Sequence, residues 1–313
     1  MSETPVTAYY KFNDLRSYSS TEWLADSRKK YRQVFAMAET NYIYAEFSFY
    51  NKKFDEQDWE ATVVLKGFRL EESGEHDEPL CQIEIPVIAS RHQNIVYVRE
   101  GWGSDNHGKF WTEGAYVWRA LINGEVVAES RFFVYDEAPV TPDENPFFQI
   151  EGVQLFESDA SGGDPAHRNY FIAFDAPETR FIFAEISAKN LLKRDWMCEL
   201  VFNFYNDARQ LKGRTVELFP VKGNETSFKI ASGWGSDFKG TWFVDNYTVE
   251  IVFMDTLLAV IPFEVGFEFE SGEPRLLRGR SSMPCRLLPR KTLRKLIISA
   301  LTGSSPNWKD WWA

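Results

Sequence analysis

One long segment of this 313-residue chain occurs twice. Residues 31–51, "YRQVFAMAETNYIYAEFSFYN", align without gaps to residues 170–190, "YFIAFDAPETRFIFAEISAKN". Further on, Gly101, Trp102, Gly103, Ser104 and Asp105 return as Gly233, Trp234, Gly235, Ser236 and Asp237. Trp59 matches Trp196, each preceded by an Asp, and Tyr116 matches Tyr247. The run "RFFV" (131–134) matches "PFEV" (262–265). Two copies of roughly 120–130 residues cover most of the chain, and a repeat that long is a duplicated domain rather than a solenoid module of about 20–50 residues.

Each copy favours strands. In the first, "ATVVLKGF" (61–68), "NIVYV" (94–98), "AYVWRALI" (115–122) and "EVVAESRFFV" (125–134) are rich in β-branched and aromatic residues. Asn123-Gly124 between the last two is a hairpin signal. The second copy has "MCELVFNFY" (197–205), "VELFPV" (216–221), "TSFKIA" (226–231), "YTVEIVFM" (247–254) and "LLAVIPFEVGFEFE" (257–270). Short strands at this spacing predict an all-β chain of two tandem immunoglobulin-like antiparallel β-sandwiches, residues 5–136 and 148–270. The immunoglobulin Cys-Trp-Cys spacing is absent, so the likeness is architectural. Between the copies, "DEAPVTPDENPFFQ" (136–149) holds three prolines and four acids. Residues 137–147 are expected to form a short, stiff linker that holds the sandwiches end to end.

Gly103 to Lys109 matches the start of a phosphate-binding loop, four residues between two glycines and then Lys. Such a loop needs Ser or Thr next, to hold magnesium. Phe110 stands there instead, the second copy has Thr241 after Gly240, and no helix pattern follows. The stretch is better read as a repeated structural turn built on Gly101, Trp102, Gly103 and Asp105, and on Gly233, Trp234, Gly235 and Asp237. Its glycines would supply positive φ, Ser and Asp would close it onto nearby backbone, and the Trp would cover the end of the core. Exposed in a row with Trp111 and Trp242, the same tryptophans would instead form a sugar-stacking platform. Trp59 and Trp196 are expected in the core. Glu46 and Glu185 sit at matching strand positions and suit structural salt bridges. His76, His92, His107 and His167 form no metal or catalytic pattern. No metal site, cofactor or catalytic residue is expected.

Cys81, Cys198 and Cys285 support neither a disulfide framework nor a zinc site, and the first two suit small buried positions. No apolar run approaches membrane-span length, and the N-terminus lacks the pattern of a signal peptide, so a cytoplasmic protein is expected. The net charge of −11 is uneven. From Arg275 onward nine Lys or Arg stand against Asp310, giving +8 and leaving −19 for residues 1–274. An acidic body of that kind disfavours nucleic-acid binding. In the basic tail, 271–313, residues 290–302 place Leu293, Leu296, Ile297, Ala300 and Leu301 at helical spacing. Trp308, Trp311 and Trp312 follow. These apolar residues need a surface, which could be an acidic sandwich of the same chain, a protein partner, or a membrane. Leu293, Leu296, Ile297, Leu301 and the three tryptophans are the candidate partner-binding residues.

"DWMCELVFNFYNDARQLKGRTVELFPV" (195–221) and "GWGSDFKGTWFVDNYTVEIVFMDTLLAVIPFEVG" (233–266) resemble the non-ATPase N-terminal region of bacterial AAA+ proteins similar to stage V sporulation protein K. The likeness covers residues 146–270, with 31–136 as a diverged sibling. In such proteins an ATPase module with Walker motifs follows; here only the basic tail does, as in an ATPase-less relative or part of a longer protein. The resemblance implies recognition or scaffolding rather than hydrolysis. The expected function is a non-enzymatic adaptor in a bacterial complex, with an AAA+ ATPase as a candidate partner. The alternatives are a tandem carbohydrate-binding module and a hydrolase with an unrecognised site.

Overall fold

The computed structural model describes residues 8–20, 29–71, 74–75 and 78–267. The chain divides into two compact units, Met1–Pro139 and Val140–Ala313. In the first, the strands are β1 (Tyr10–Ser20), β2 (Val34–Ala36), β3 (Tyr42–Asn51), β4 (Trp59–Glu71), β5 (Gly74–Glu75), β6 (Cys81–Ala89), β7 (Ile95–Gly103), β8 (Gly114–Ile122) and β9 (Glu125–Tyr135). One sheet runs β1-β3-β7 and the other β2-β9-β8-β4-β5, with β6 also paired to β4. All pairs are antiparallel except β2 on β9. The second unit has β10 (Phe148–Ser158), β11 (Ala173–Asp175), β12 (Phe181–Asn190), β13 (Trp196–Asn206), β14 (Leu211–Val221), β15 (Ser227–Gly235), β16 (Asp245–Phe253) and β17 (Thr256–Gly266). Its sheets run β10-β12-β15 and β11-β17-β16-β13-β14, again with one parallel pair, β11 on β17.

The two units are the same sandwich. Strand for strand, β10 to β17 repeat β1 to β4 and β6 to β9, and β5 belongs to the first unit alone. The irregularities repeat too: β1 shifts register between Phe12 and Asp14, and β10 between Ile150 and Gly152. The Tyr116 hydroxyl donates to the carbonyl of Thr112 (2.9 Å), and Tyr247 to that of Phe243 (3.0 Å). A tyrosine at the start of such a strand, bonding back to the chain just upstream, is the tyrosine corner of immunoglobulin-like sandwiches.

Alternation explains the strands. In β3, Ile43, Ala45, Phe47 and Phe49 enter the core between the sheets, joined by Trp111, Trp118 and Phe132 from the facing side. The second core holds Trp196 against Phe147, Phe148, Phe228 and Phe253, and Trp242 against Tyr247 and Phe263. Trp59 and Trp196 are buried as expected. Each donates its indole N–H to an Asn side chain, Asn51 (2.9 Å) or Asn190 (3.2 Å), whose amide bonds two carbonyls of a neighbouring loop.

Three facing positions in the cores trade volume. The first unit has Gly67 opposite both Trp118 and Cys81. The second has Phe204 opposite both Val249 and Gly213. A Cβ on Gly67 would stand 2.8 Å from the Cys81 sulfur, and one on Gly213 would stand 2.3 Å from the Trp234 ring. Each set fills its own space and fits no other.

Some boundaries differ from expectation. Val140 and Phe147, inside the expected linker, are buried in the second unit, where the Val140 carbonyl accepts the Thr256 hydroxyl (2.9 Å). The Asn123-Gly124 hairpin is present with both φ angles positive (48° and 89°). Its counterpart uses Met254 and Asp255 (45° and 63°), so the strand read through Met254 ends at Phe253. Strands β1, β6 and β10 carry polar residues on their outer faces, which hid them in the sequence. Among the described residues, no helix is long and apolar enough to cross a membrane.

Candidate functional site

The outer face of each three-stranded sheet carries a buried carboxylate. Glu46 lies mid-strand in β3 and Glu185 at the matching position in β12. Their exposures are 5% and 2%, low for a charge unless it is paired. Glu46 is met by the Lys29 ammonium, by the Tyr31 hydroxyl (2.6 Å) and, at 3.6 Å, by the Arg16 guanidinium. Glu185 is met by Arg168, by the Tyr170 hydroxyl (3.0 Å) and by the Lys229 ammonium (3.1 Å). Burial acts to raise both carboxyls, but the hydrogen bonds and positive charges outweigh it, and both sit below the usual Glu range. The phenols respond in the opposite sense: burial first, then the bond to Glu46, pushes Tyr31 up to about 12.

Aromatic rings extend the cluster. Tyr18 stacks on Tyr44 at 5.2 Å, with Tyr31 edge-on to Tyr18. Phe156 stacks on Phe183 at 5.1 Å, with Tyr170 edge-on to Phe156. The cations cover these rings, Arg16 over Tyr31 (3.9 Å) and Arg168 over Phe156 (4.4 Å). The expectation of structural salt bridges at Glu46 and Glu185 therefore matches the geometry. Their partners were missed, although Lys29-x-Tyr31 and Arg168-x-Tyr170 stand at the same offset as the gapless repeat. That spacing was the available signal.

The rings account for the Gly-Trp-Gly signature. Gly101 and Gly233 lie opposite Tyr44 and Phe183 on the neighbouring strand. A Cβ at either glycine would come within 2.6 Å of that ring. A Cβ at Gly103 or Gly235 would come within 2.0 Å of the carbonyl oxygen of Asn41 or Arg180. The signature is thus the end of strands β7 and β15, where chains approach too closely for any side chain. This corrects the expected positive-φ turn at Gly101, Gly103 and Gly233; of the four only Gly235 has positive φ (159°), close to extended. The turn itself follows, and its positive-φ glycines are Gly108 (63°) and Gly240 (73°).

The Ser104 and Ser236 hydroxyls each accept a backbone N–H two residues on (3.4 and 3.2 Å), as expected for turn closure. The Asp residues part company. Both are exposed, but Asp105 accepts the Tyr42 hydroxyl (2.6 Å), whereas beside Asp237 Phe181 replaces that tyrosine. Trp102 and Trp234 are half-buried on the core side; Trp234 meets Trp242 edge-on at 4.8 Å. Trp111 and Trp242 are buried, with their indole N–H groups bonded to the carbonyls of Trp102 (2.6 Å) and Arg180 (2.9 Å). No row of four exposed tryptophans can form.

His92, His107 and His167 are exposed, and Cys81 and Cys198 are buried thiols whose ionisation burial opposes, Cys81 being pushed up to about 12. Lys109, of the loop that imitates a phosphate site, is exposed. Leu293, Leu296, Ile297, Leu301, Trp308, Trp311 and Trp312 lie outside the described residues, as do His76, Cys285 and the last residues of the strand expected to reach 270.

The copies diverge at exposed positions, including Lys229 of the Glu185 cluster. Tyr50 and Tyr97, exposed on the first three-stranded sheet, become Lys189 and Lys229. Asn106, Thr112, Glu113 and Asp136 become Phe238, Phe243, Val244 and Phe267.

No family model matches the chain. No curated protein matches it either. Among solved structures, red sea bream transglutaminase aligns with a TM-score of 0.28 and 10% identity, over 83% of this chain and 32% of that one. The chain thus spans about a third of that protein's length.

Proposed function

We propose that this chain is a non-enzymatic adaptor whose two sandwiches present different surfaces from one shared scaffold. The supporting observation is the pattern of divergence. The copies keep their buried Glu clusters, Gly–ring contacts, Trp–Asn latches and tyrosine corners, and change the residues that face water. A duplication that keeps these structural devices and alters exposed residues suits recognition by two unlike faces. Both repeated carboxylates have their oxygens taken up by cations and phenols, which favours cohesion over proton transfer. The tail supplies a further docking element, and the likeness to regions of bacterial AAA+ proteins makes an ATPase of that class the first partner to try.

The test is crosslinking with mass spectrometry on the full chain in its native host, beside a chain lacking 275–313. Crosslinks from both sandwiches to one assembly support the adaptor. A chain that crosslinks to nothing and binds an oligosaccharide array through Trp102 or Trp234 would replace it with the carbohydrate reading.

A further inference from the structure

The second sandwich has an apolar end that the first lacks. Phe238 is 77% exposed, Phe243 79%, Val244 54% and Phe267 70%. The register Asp245↔Val265 puts Phe243 and Val244 at the same end of the sheet as Phe267. The Ala176 N–H bonds the carbonyl of Gly266, and Lys239 pairs with Glu178, so the loop carrying Phe238 lies at that end as well. At the corresponding positions of the first sandwich stand Asn106, Thr112, Glu113 and Asp136, all exposed. The fold itself therefore does not require apolar residues here. Three phenylalanines and a valine held in water at one end of a small domain mark a contact surface.

We infer that this end is the docking site for residues 290–312 of the same chain. The described chain leaves the second sandwich at Phe267, within the apolar end. The 22 residues from 268 to 289 can span up to roughly 75 Å when extended, ample to bring the following segment back. That segment carries Leu293, Leu296, Ile297 and Leu301 at helical spacing, and a helix of this length is unstable in water without a surface. Charge agrees with the pairing: Glu178, Asp237, Asp245 and Glu264 lie in the loops and strand ends here against Lys239 and Arg180, and residues 290–312 carry five Lys or Arg against Asp310. The contact does not depend on the adaptor reading. If a partner also uses the tail, that partner competes with the second sandwich for it.

Hydrogen exchange on the full chain tests this directly. In dilute protein, amides of 290–302 should exchange at least about 100-fold more slowly than in a synthetic peptide of the same residues. The variant Phe238→Asn, Phe243→Thr, Val244→Glu and Phe267→Asp, built from the residues of the first sandwich, should lose that protection. Leu296→Asp with Ile297→Asp should do the same without touching either sandwich, and both variants should keep wild-type protection in β12 and β13. Free exchange of 290–302 in the wild type would overturn the inference, as would protection that survives the four-residue change. Protection that grows with protein concentration would place the docking between chains and overturn the intramolecular contact.

Discussion

A methyl group added at Gly101 would stand 2.6 Å from the ring of Tyr44, and one at Gly103 would stand 2.0 Å from the carbonyl oxygen of Asn41. A ring can tilt, but the Asn41 carbonyl, just before β3 and held by the Ser104 N–H (3.1 Å), cannot move far. Gly101→Ala should therefore destabilise the first sandwich by about 1–3 kcal/mol, with Gly103→Ala costing more. Equal midpoints for the two variants in urea unfolding would contradict this ordering. The buried carboxylates set a second expectation. Glu46 and Glu185 both have folded-state values below the ordinary 4.5. A lowered value means stability that is fully present above pH 4.5 and is lost as pH falls through the folded-state value. Glu46→Gln should cost about 1–3 kcal/mol at neutral pH, by removing the charge opposite Lys29 and leaving one of the Lys29 and Tyr31 donors without its acceptor. With Glu185→Gln added, the acid limb of a stability–pH curve should flatten, and an unchanged limb would assign acid sensitivity to other groups.

The hairpins and turns show what element-level reading could reach. Asn123-Gly124 was legible because those residues favour positive φ. Its partner was not, because Met254 and Asp255 adopt the same turn against their preference, held by the strands on either side. Because Met254 is buried, the test is Asp255→Gly alone, which should raise the stability of the second sandwich by about 1 kcal/mol. A lower melting temperature would mean that the exposed Asp255 side chain contributes a contact to the turn. The Gly-Trp-Gly stretch was legible as a repeated structural element and misplaced as a turn. Sequence shows that glycine is needed but not whether dihedral freedom or close approach demands it. For Trp234, half-buried rather than buried, truncation to Ala should cost less than the roughly 3–5 kcal/mol expected for Trp242→Ala. Chemical unfolding of the two variants would rank them.

At the scale of the whole molecule, duplication made the architecture readable, since every strand pattern could be checked against its copy. The apolar end was hidden for the converse reason: it lies where the copies disagree, and Phe238, Phe243, Val244 and Phe267 follow no period of helix or strand. The traded volumes at Gly67, Trp118 and Cys81, against Phe204, Val249 and Gly213, bear on how such a chain reaches its native state. Tandem copies of one domain risk exchanging strands during folding, because each copy offers the other's partner. A β13 that entered the first sandwich would drive Phe204 against Trp118 and Cys81. A β4 that entered the second would set Gly67 opposite Val249 and Gly213, leaving a void. Neither hybrid packs, so divergence in three core positions keeps two copies of one fold from mistaking each other for themselves.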